Sequence, residues 1–100
     1  MKTQVSILHH DYPRRVRDLV DERLQGLTRF FSRLVSVRAN LERQNEGHRI
    51  ELVANVGKGG VIVADAQGDA FRSTLDEAID RMSSQLRKHH DKQIDRHRRA

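Results

Sequence analysis

The fold is decided by two stretches of alternating sequence, VSVRANLE at Val35–Glu42 and HRIELVANV at His48–Val56. Apolar residues occupy every second position in both stretches, which is typical of strands with one buried face. The turn-like residues 44–47 lie between them and predict a hairpin. A further strand, Val61–Ala66, follows the glycine-rich residues 57–60, so that two consecutive hairpins predict an antiparallel meander.

The alternation also predicts which side chains of the meander enter the core. The expected inward set is Val35, Val37, Ala39, Leu41, Ile50, Leu52, Ala54, Val56, Ile62, Ala64 and Ala66. Val61 and Val63 leave the direction of the last strand open. The opposite face shows Arg38, Asn40, Arg49, Glu51 and Asn55. We expect that face to meet water, as one face of an antiparallel sheet often does.

A strand and a helix precede the meander. Thr3–Leu8 alternates and reads as a short strand. Apolar residues then recur at spacings of three and four from Val16 to Leu34, which predicts an amphipathic helix of about five turns. Pro13 suits the first position of that helix. Gly26 lies inside it and costs about 1 kcal/mol relative to alanine.

A second amphipathic helix follows the meander. It begins either after an Asp69 cap or at Thr74, which has Glu77 three residues on as a capping-box partner. Its expected buried stripe is Leu75, Ala78, Ile79, Met82 and Leu86. Beyond this stripe Ile94 is the only large aliphatic residue, so we expect the basic end, residues 94–100, to project or fray.

The element order is therefore β-α-β-β-β-α. We predict an α+β sandwich in which a four-stranded sheet carries both helices on one face, with a right-handed crossover if the first two strands pair. One hundred residues with 36% hydrophobic content fit a single domain, residues 1–100. Cysteine is absent, and neither a signal peptide nor an apolar run of roughly 20 residues is evident. We therefore predict a cytoplasmic protein.

The charge distribution favours a polyanionic partner. The chain has 19 Lys and Arg against 14 Asp and Glu, a net charge of +5. At 100° per residue, Arg81, Lys88 and Lys92 share a narrow arc that we place opposite the apolar stripe of the last helix. Lys88 and Lys92 repel each other by a few tenths of a kcal/mol, a cost that a bound polyanion removes. A solvated face with surface ion pairs explains this helix about equally well.

Arg23 falls within the apolar arc of the first helix. Its stem can snorkel over the edge of the core, or its guanidinium can emerge between the helices and hold a phosphate. The sequence leaves both interpretations open.

Other chemistry has little support in the sequence. Adjacent histidines such as His9-His10 and His89-His90 chelate poorly, and no carboxylate or thiolate cluster completes a metal site. Residues 57–60 lack the spacing and the following helix of a phosphate-binding loop. No catalytic arrangement stands out, so we predict no metal, no cofactor and no enzyme activity. The four aromatic residues provide no stacking platform on the strands, which favours structured RNA over single strands.

Several stretches resemble a known family. They are Arg17–Val20, Leu27–Phe31, Gly59–Ala64, Leu75-Asp76, Ile79–Met82, Gln85–His89 and Asp91-Lys92. Their order and spacing are similar to those of the bacterial ribosome hibernation promoting factor and ribosome-associated translation inhibitor family. The chain ends soon after the last helix, which resembles the short members of that family. Two positions depart from its pattern: Gly26 stands where lysine is frequent, and Arg72 where an aromatic residue is expected.

The resemblance implies a dsRNA-binding-domain-like sandwich that occupies the decoding channel of the small ribosomal subunit. Such a factor blocks messenger and transfer RNA and silences the ribosome in stationary phase or stress. The implied RNA-binding residues are Arg23, Arg81, Arg87, Lys88, His89 and Lys92. The implied partners are the small subunit with its ribosomal RNA and, as a further candidate, a second hibernation factor. We expect no membrane partner and a monomer when the protein is free.

Two other classes of function remain open from the sequence. One is a general duplex RNA- or DNA-binding module that acts away from the ribosome. The other is a protein-interaction module whose acidic and basic arcs pair between chains. Competition between naked duplex and ribosomes distinguishes the first class, and a concentration-dependent dimer that is indifferent to nucleic acid distinguishes the second.

Overall fold

The computed structural model describes the backbone of residues 2–8, 12–31, 33–44, 46–58 and 60–99, and side chains within residues 12–90 except those of 30, 32, 45 and 59. The elements are β1 (Lys2–Leu8), α1 (Arg14–Phe30), β2 (Ser36–Gln44), β3 (Gly47–Gly57), β4 (Gly60–Gly68) and α2 (Phe71–Arg99). The predicted order and the α+β class are confirmed.

The strands form one sheet in the order β1-β2-β3-β4. β2, β3 and β4 make the predicted antiparallel meander, and β1 pairs with β2 in parallel, so that α1 is the crossover between them. The register places Ala39 beside Val5 of β1 and beside Leu52 of β3, and Leu52 beside Ala64 of β4. One row of residues therefore crosses all four strands.

The core lies between one face of this sheet and both helices. The buried strand residues are Val37, Ala39, Leu41, Ile50, Leu52, Ala54, Ala64 and Ala66, and all belong to the inward set expected from the alternation. They form one cluster with Val20, Leu24 and Leu27 of α1 and with Leu75, Ala78, Ile79, Met82 and Leu86 of α2. Since a strand directs alternate side chains to opposite faces, both helices cover the same face.

Three details at the first helix and the following strand differ from the prediction. α1 begins at Arg14 with Pro13 as its N-cap residue. It ends at Phe30 rather than at Leu34, although Leu34 still enters the core from the connecting segment. Val35 was expected to face inward but is 52% exposed and precedes β2. Val35 lies outside β2, so the alternation that buries Val37 and Ala39 does not extend back to it.

The start of α2 also differs from the prediction. The helix begins at Phe71, so a start at Thr74 is wrong, and a start directly after Asp69 is one residue early. Thr74 is buried, and its hydroxyl donates to the carbonyl of Ala70 at 2.7 Å. The hydroxyl therefore satisfies its hydrogen bond within the first turn instead of capping the helix.

A cluster of three rings joins the beginning of α1 to the beginning of α2. The centroids of Tyr12, His48 and Phe71 lie 5.3 to 5.6 Å apart. The Tyr12 hydroxyl and His48 Nδ1 are 2.6 Å apart and share a hydrogen bond. Burial and, secondly, the charge of Arg43 lower the pKa of His48 below its ordinary value of 6.5. The imidazole is therefore mainly neutral at pH 7.

The hairpin between β3 and β4 confirms that the glycine-rich residues 57–60 form a turn. Gly57 has a φ of +84° and Lys58 a φ of +50°, both in the left-handed region. The Gly57 N–H donates to Asn55 Oδ1 at 2.9 Å, which satisfies the donor locally. Strands flank the turn on both sides, which is incompatible with a phosphate loop that opens a helix.

We predict that Gly26→Ala stabilises the protein. A Cβ at this position meets nothing within 4 Å, while alanine favours the helix by about 1 kcal/mol over glycine. Urea unfolding should show a gain of about 0.5–1 kcal/mol in the free energy of unfolding. A loss of stability would contradict the open space seen at Gly26.

We also predict that the stability of the protein falls in mildly acidic solution through His48. Its pKa is lowered in the folded state, so the unfolded chain binds the proton first as the pH drops. The contribution of His48 is complete above its unfolded pKa of 6.5 and is lost as the pH falls through the folded pKa. Unfolding titrations of wild type and His48→Gln should diverge in this window. Arg43→Gln should reduce the divergence, because the charge of Arg43 contributes to the shift.

Candidate nucleic-acid interface

The cationic surplus of the protein is concentrated in the extension of α2, the part of the helix that follows Leu86. Among the described side chains, Leu86 is the last of the helix in the core cluster, and the helix continues to Arg99. Residues 87–99 carry six Lys or Arg and two Asp, a net charge of +4 out of the chain's +5. At 1.5 Å per residue this segment is about 20 Å long. The rest of the protein is therefore nearly neutral, and a polyanion is drawn to the extension.

Part of this extension lies outside the described side chains. The backbone is helical to Arg99, but the side chains of Lys92 and Ile94 are not among those described. The predicted RNA contact of Lys92 and the fraying of residues 94–100 in solution stay predictions.

Arg81 does not lie opposite the apolar stripe, and this part of the prediction is wrong. Its Nη1 donates to the carbonyl of Asp65 in β4 at 2.6 Å, and its Nη2 pairs with Glu77. The buried face of α2 includes Thr74 in addition to the expected stripe, so it is wider than the apolar residues alone indicate. On a helical projection this widening brings the margin of the buried face close to Arg81.

Gln85 lies one turn further along the same flank of α2. Its Nε2 donates to the carbonyl of Val63 at 3.2 Å. β4 is at the edge of the sheet, so its outward carbonyls have no strand partner. Arg81 and Gln85 together cover two of these carbonyls, and we assign Arg81 a structural role at the sheet edge.

Arg23 forms an ion pair between the two helices. Its Nη1 lies 2.6 Å from Oδ1 of Asp76, with the side chains 37% and 51% exposed. The guanidinium thus emerges between the helices, as one of the two interpretations required, but it holds a carboxylate of the same chain. An exposed pair of this kind contributes at most about 1 kcal/mol to stability.

The remaining predicted residues follow Leu86. Arg87 and Lys88 are exposed, and neither forms an ion pair with a side chain that the structure describes. His89 is half-buried and lies seven residues after Met82, which places it on the core-facing side of the helix. His89 is therefore not on the same surface as Arg87 and Lys88.

Three of the predicted RNA-binding residues, Arg81, Arg87 and Lys88, divide between two flanks of α2. Lys88 lies seven residues after Arg81 and shares its flank, which faces β4. Arg87 lies eleven residues after Asp76 and shares the flank that faces α1 and Arg23. The structure therefore does not bring the six residues into one row. It sets Arg87 and Lys88 on adjacent flanks at the start of the extension.

Asp76 was missed by the reading of the sequence. It lies on the polar part of α2, and its partner Arg23 is 53 residues away along the chain. No local spacing signals such a pair, because only the packing of α1 against α2 brings the two side chains together.

Metal binding and membrane insertion find no support among the described residues. No group of three or more His, Asp or Glu side chains in that part of the chain is placed to hold a metal ion. His9 and His10, which were considered for such a site, lie outside the described residues. Neither α1 nor the described part of α2 has the length and apolarity needed to cross a bilayer.

Comparison with known proteins assigns the family. The family described as "Sigma 54 modulation protein / S30EA ribosomal protein" matches residues 3–94 of this chain. The chain therefore belongs to this family of ribosome-associated proteins, and the resemblance seen in the sequence is confirmed.

Individual relatives agree with this assignment. A ribosome hibernation promoting factor of Azotobacter vinelandii is 34% identical over 95 residues, which cover 93% of this chain and 88% of the relative. A ribosomal subunit interface protein from Coxiella burnetii has a similar fold, with a TM-score of 0.81 at 18% identity, covering 91% of this chain and 99% of its own. The N-terminal domain of Protein Y from Thermus thermophilus gives 0.72 at 18% identity, covering 89% and 97%. These two structural likenesses support the fold.

We predict that Arg81→Ala destabilises the protein, whereas Lys88→Ala does not. The Arg81 change leaves the Asp65 carbonyl and the Glu77 carboxylate without their described partner. The expected loss in the free energy of unfolding is about 0.5–1.5 kcal/mol, measured by urea denaturation. Lys88 is exposed and serves as the matched control on the same flank. Equal stability of the two variants would contradict the structural role of Arg81.

Proposed function

We propose that this protein is a ribosome hibernation factor that occupies the decoding channel of the small subunit and silences translation. It binds through phosphate groups of ribosomal RNA and blocks the sites of messenger and transfer RNA. The observation that carries the proposal is the net charge of +4 on residues 87–99, at the end of a helix held by the core of a protein from this family. The name of the Azotobacter vinelandii relative supports the same role.

The charge pattern favours contacts to RNA phosphates over recognition of bases. Arg87 and Lys88 are exposed at the start of the extension, and long cationic side chains are the usual ligands of phosphate oxygens. The outer face of the sheet has no aromatic residue on β2, β3 or β4 on which bases could stack. Recognition therefore relies on the shape and charge of folded RNA, as in dsRNA-binding domains.

The shape of the molecule suits a confined RNA site. It measures about 50 × 23 × 20 Å, with one long axis. The extension of α2 is only one helix wide. It can therefore enter a channel that is too narrow for the sandwich. The sandwich then excludes other ligands by its bulk, which requires no catalytic step. The matched descriptions, which name ribosomal and ribosome hibernation proteins, support this account.

The proposal includes the setting in which the protein acts. It binds small subunits in the cytoplasm as a monomer during stationary phase or stress. A second hibernation factor is a candidate partner for joining two silenced ribosomes, and binding to the small subunit does not require it.

Sedimentation of the purified protein with small subunits on gradients tests the proposal. Wild type should co-sediment at low salt and dissociate steeply as salt rises. The salt slope is the fall in the logarithm of the affinity per unit of the logarithm of the salt concentration, and each neutralised phosphate contributes about 0.7 to 0.9 to it. Lys88→Glu combined with Lys92→Glu should weaken binding by roughly tenfold or more. Messenger RNA added in excess should compete with the wild-type protein.

The matched control is charge reversal on the opposite surface. Arg38 is exposed on β2, on the sheet face that neither helix covers, and Arg38→Glu should leave co-sedimentation nearly unchanged. Failure of wild type to co-sediment at low salt would rule the proposal out. Equal affinity for naked RNA duplex and for small subunits would instead favour a general duplex-binding module.

A further inference from the structure

The ion pair between Arg23 and Asp76 is placed where it affects RNA binding more than folding. The helices that it joins are already held by buried residues such as Leu24 on α1 and Leu75 on α2. The pair is a single contact of 2.6 Å between half-exposed side chains. A contact of this kind adds little to stability, so its main consequence is electrostatic: it neutralises an arginine at the surface between the helices.

The neighbours of Asp76 make this neutralisation relevant to a polyanion. Arg72 is exposed one turn before Asp76, and Arg87 is exposed about three turns after it on the same flank. Arg23 adds a third cation from α1. Without the charge of Asp76, these three arginines would outnumber the one carboxylate left on this flank, Asp80. With it, Arg23 is engaged, and a carboxylate lies between Arg72 and Arg87.

We propose that Asp76 limits the affinity of this protein for RNA by keeping Arg23 from contacting phosphate. This inference rests on the proposed function, because it concerns the same RNA-binding surface. A phosphate oxygen and the Asp76 carboxylate are competing acceptors for one guanidinium. A phosphate that displaces Asp76 leaves the carboxylate close by, and the repulsion between the two anions reduces the gain. The bound state is therefore weaker than the count of arginines suggests, which favours release from the RNA.

The test compares variants that remove one negative charge at two places on α2. Asp76→Asn frees Arg23. Asp80→Asn is the matched control, because Asp80 is exposed one turn further on and forms no ion pair with a described side chain. Arg23→Gln and the double variant Arg23→Gln with Asp76→Asn complete a cycle. Dissociation constants for isolated small subunits are measured by fluorescence anisotropy over a series of salt concentrations.

The expected result has three parts. Asp76→Asn should bind small subunits about three- to fivefold more tightly than wild type. Its salt slope should steepen by about 0.7 to 0.9, the value of one additional phosphate contact. Asp80→Asn should tighten binding less and leave the slope nearly unchanged. In the Arg23→Gln background, Asp76→Asn should have no more effect than Asp80→Asn has in wild type.

Other results overturn the inference in distinguishable ways. Equal effects of Asp76→Asn and Asp80→Asn, or a gain that persists without Arg23, would mean that the charge of Asp76 acts only through the overall field. Weaker binding by Asp76→Asn with unchanged thermal unfolding would mean that the pair positions Arg23 for RNA. Asp76→Ser provides a second neutral variant if the asparagine protein is less stable. Absence of wild-type binding would reject the proposed function itself.

Discussion

The packing of α2 against β3 and β4 is the constraint on which the arrangement of this molecule depends. Leu75, Met82 and Leu86 of the helix are buried against the inward face of the sheet. Each fully buried side chain of this size contributes roughly 1.5–3 kcal/mol, far more than any surface ion pair. This packing determines the direction of the helix and therefore the direction in which residues 87–99 leave the domain. The charged segment needs no packing of its own to be oriented.

The polar contacts around this packing show that the arginines of the two helices have different roles. Arg81 donates to an edge carbonyl of β4, Arg23 pairs with a carboxylate across the helix interface, and Arg87 remains exposed. Distance from the core separates these tasks. Where the helix lies on the sheet, a long cationic side chain reaches an acceptor of the same domain. Past Leu86, Arg87 and Lys88 are exposed and form no ion pair with a described side chain, so their charge is available to another molecule.

Much of the fold could be predicted because it depends on local patterns. Alternation from Val37 to Leu41 specifies which strand face is buried. The spacing of three and four residues between the large apolar residues of α2 specifies its buried stripe. The errors lie at the ends of elements. Leu34 continues the helical spacing of α1 although the helix has ended, and Thr74 has a capping pattern although its hydroxyl bonds to Ala70. Such boundaries depend on tertiary packing, which local propensity does not encode.

The sequence by itself determined the order of the elements, the composition of the core and the concentration of positive charge at the end of the chain. All three follow from residue types and from their spacing along a helix or a strand. Only the tertiary structure decided which arginine side chains already have a partner within the protein. Arg23 meets Asp76 across 53 residues, and Arg81 meets the β4 edge because the buried face of α2 is wider than its apolar stripe. Contacts between distant parts of the chain decide whether an arginine is paired within the protein or available to another molecule. The basic helix of this protein is therefore an RNA-binding candidate mainly beyond Leu86, where Arg87 and Lys88 are exposed and have no described ion-pair partner.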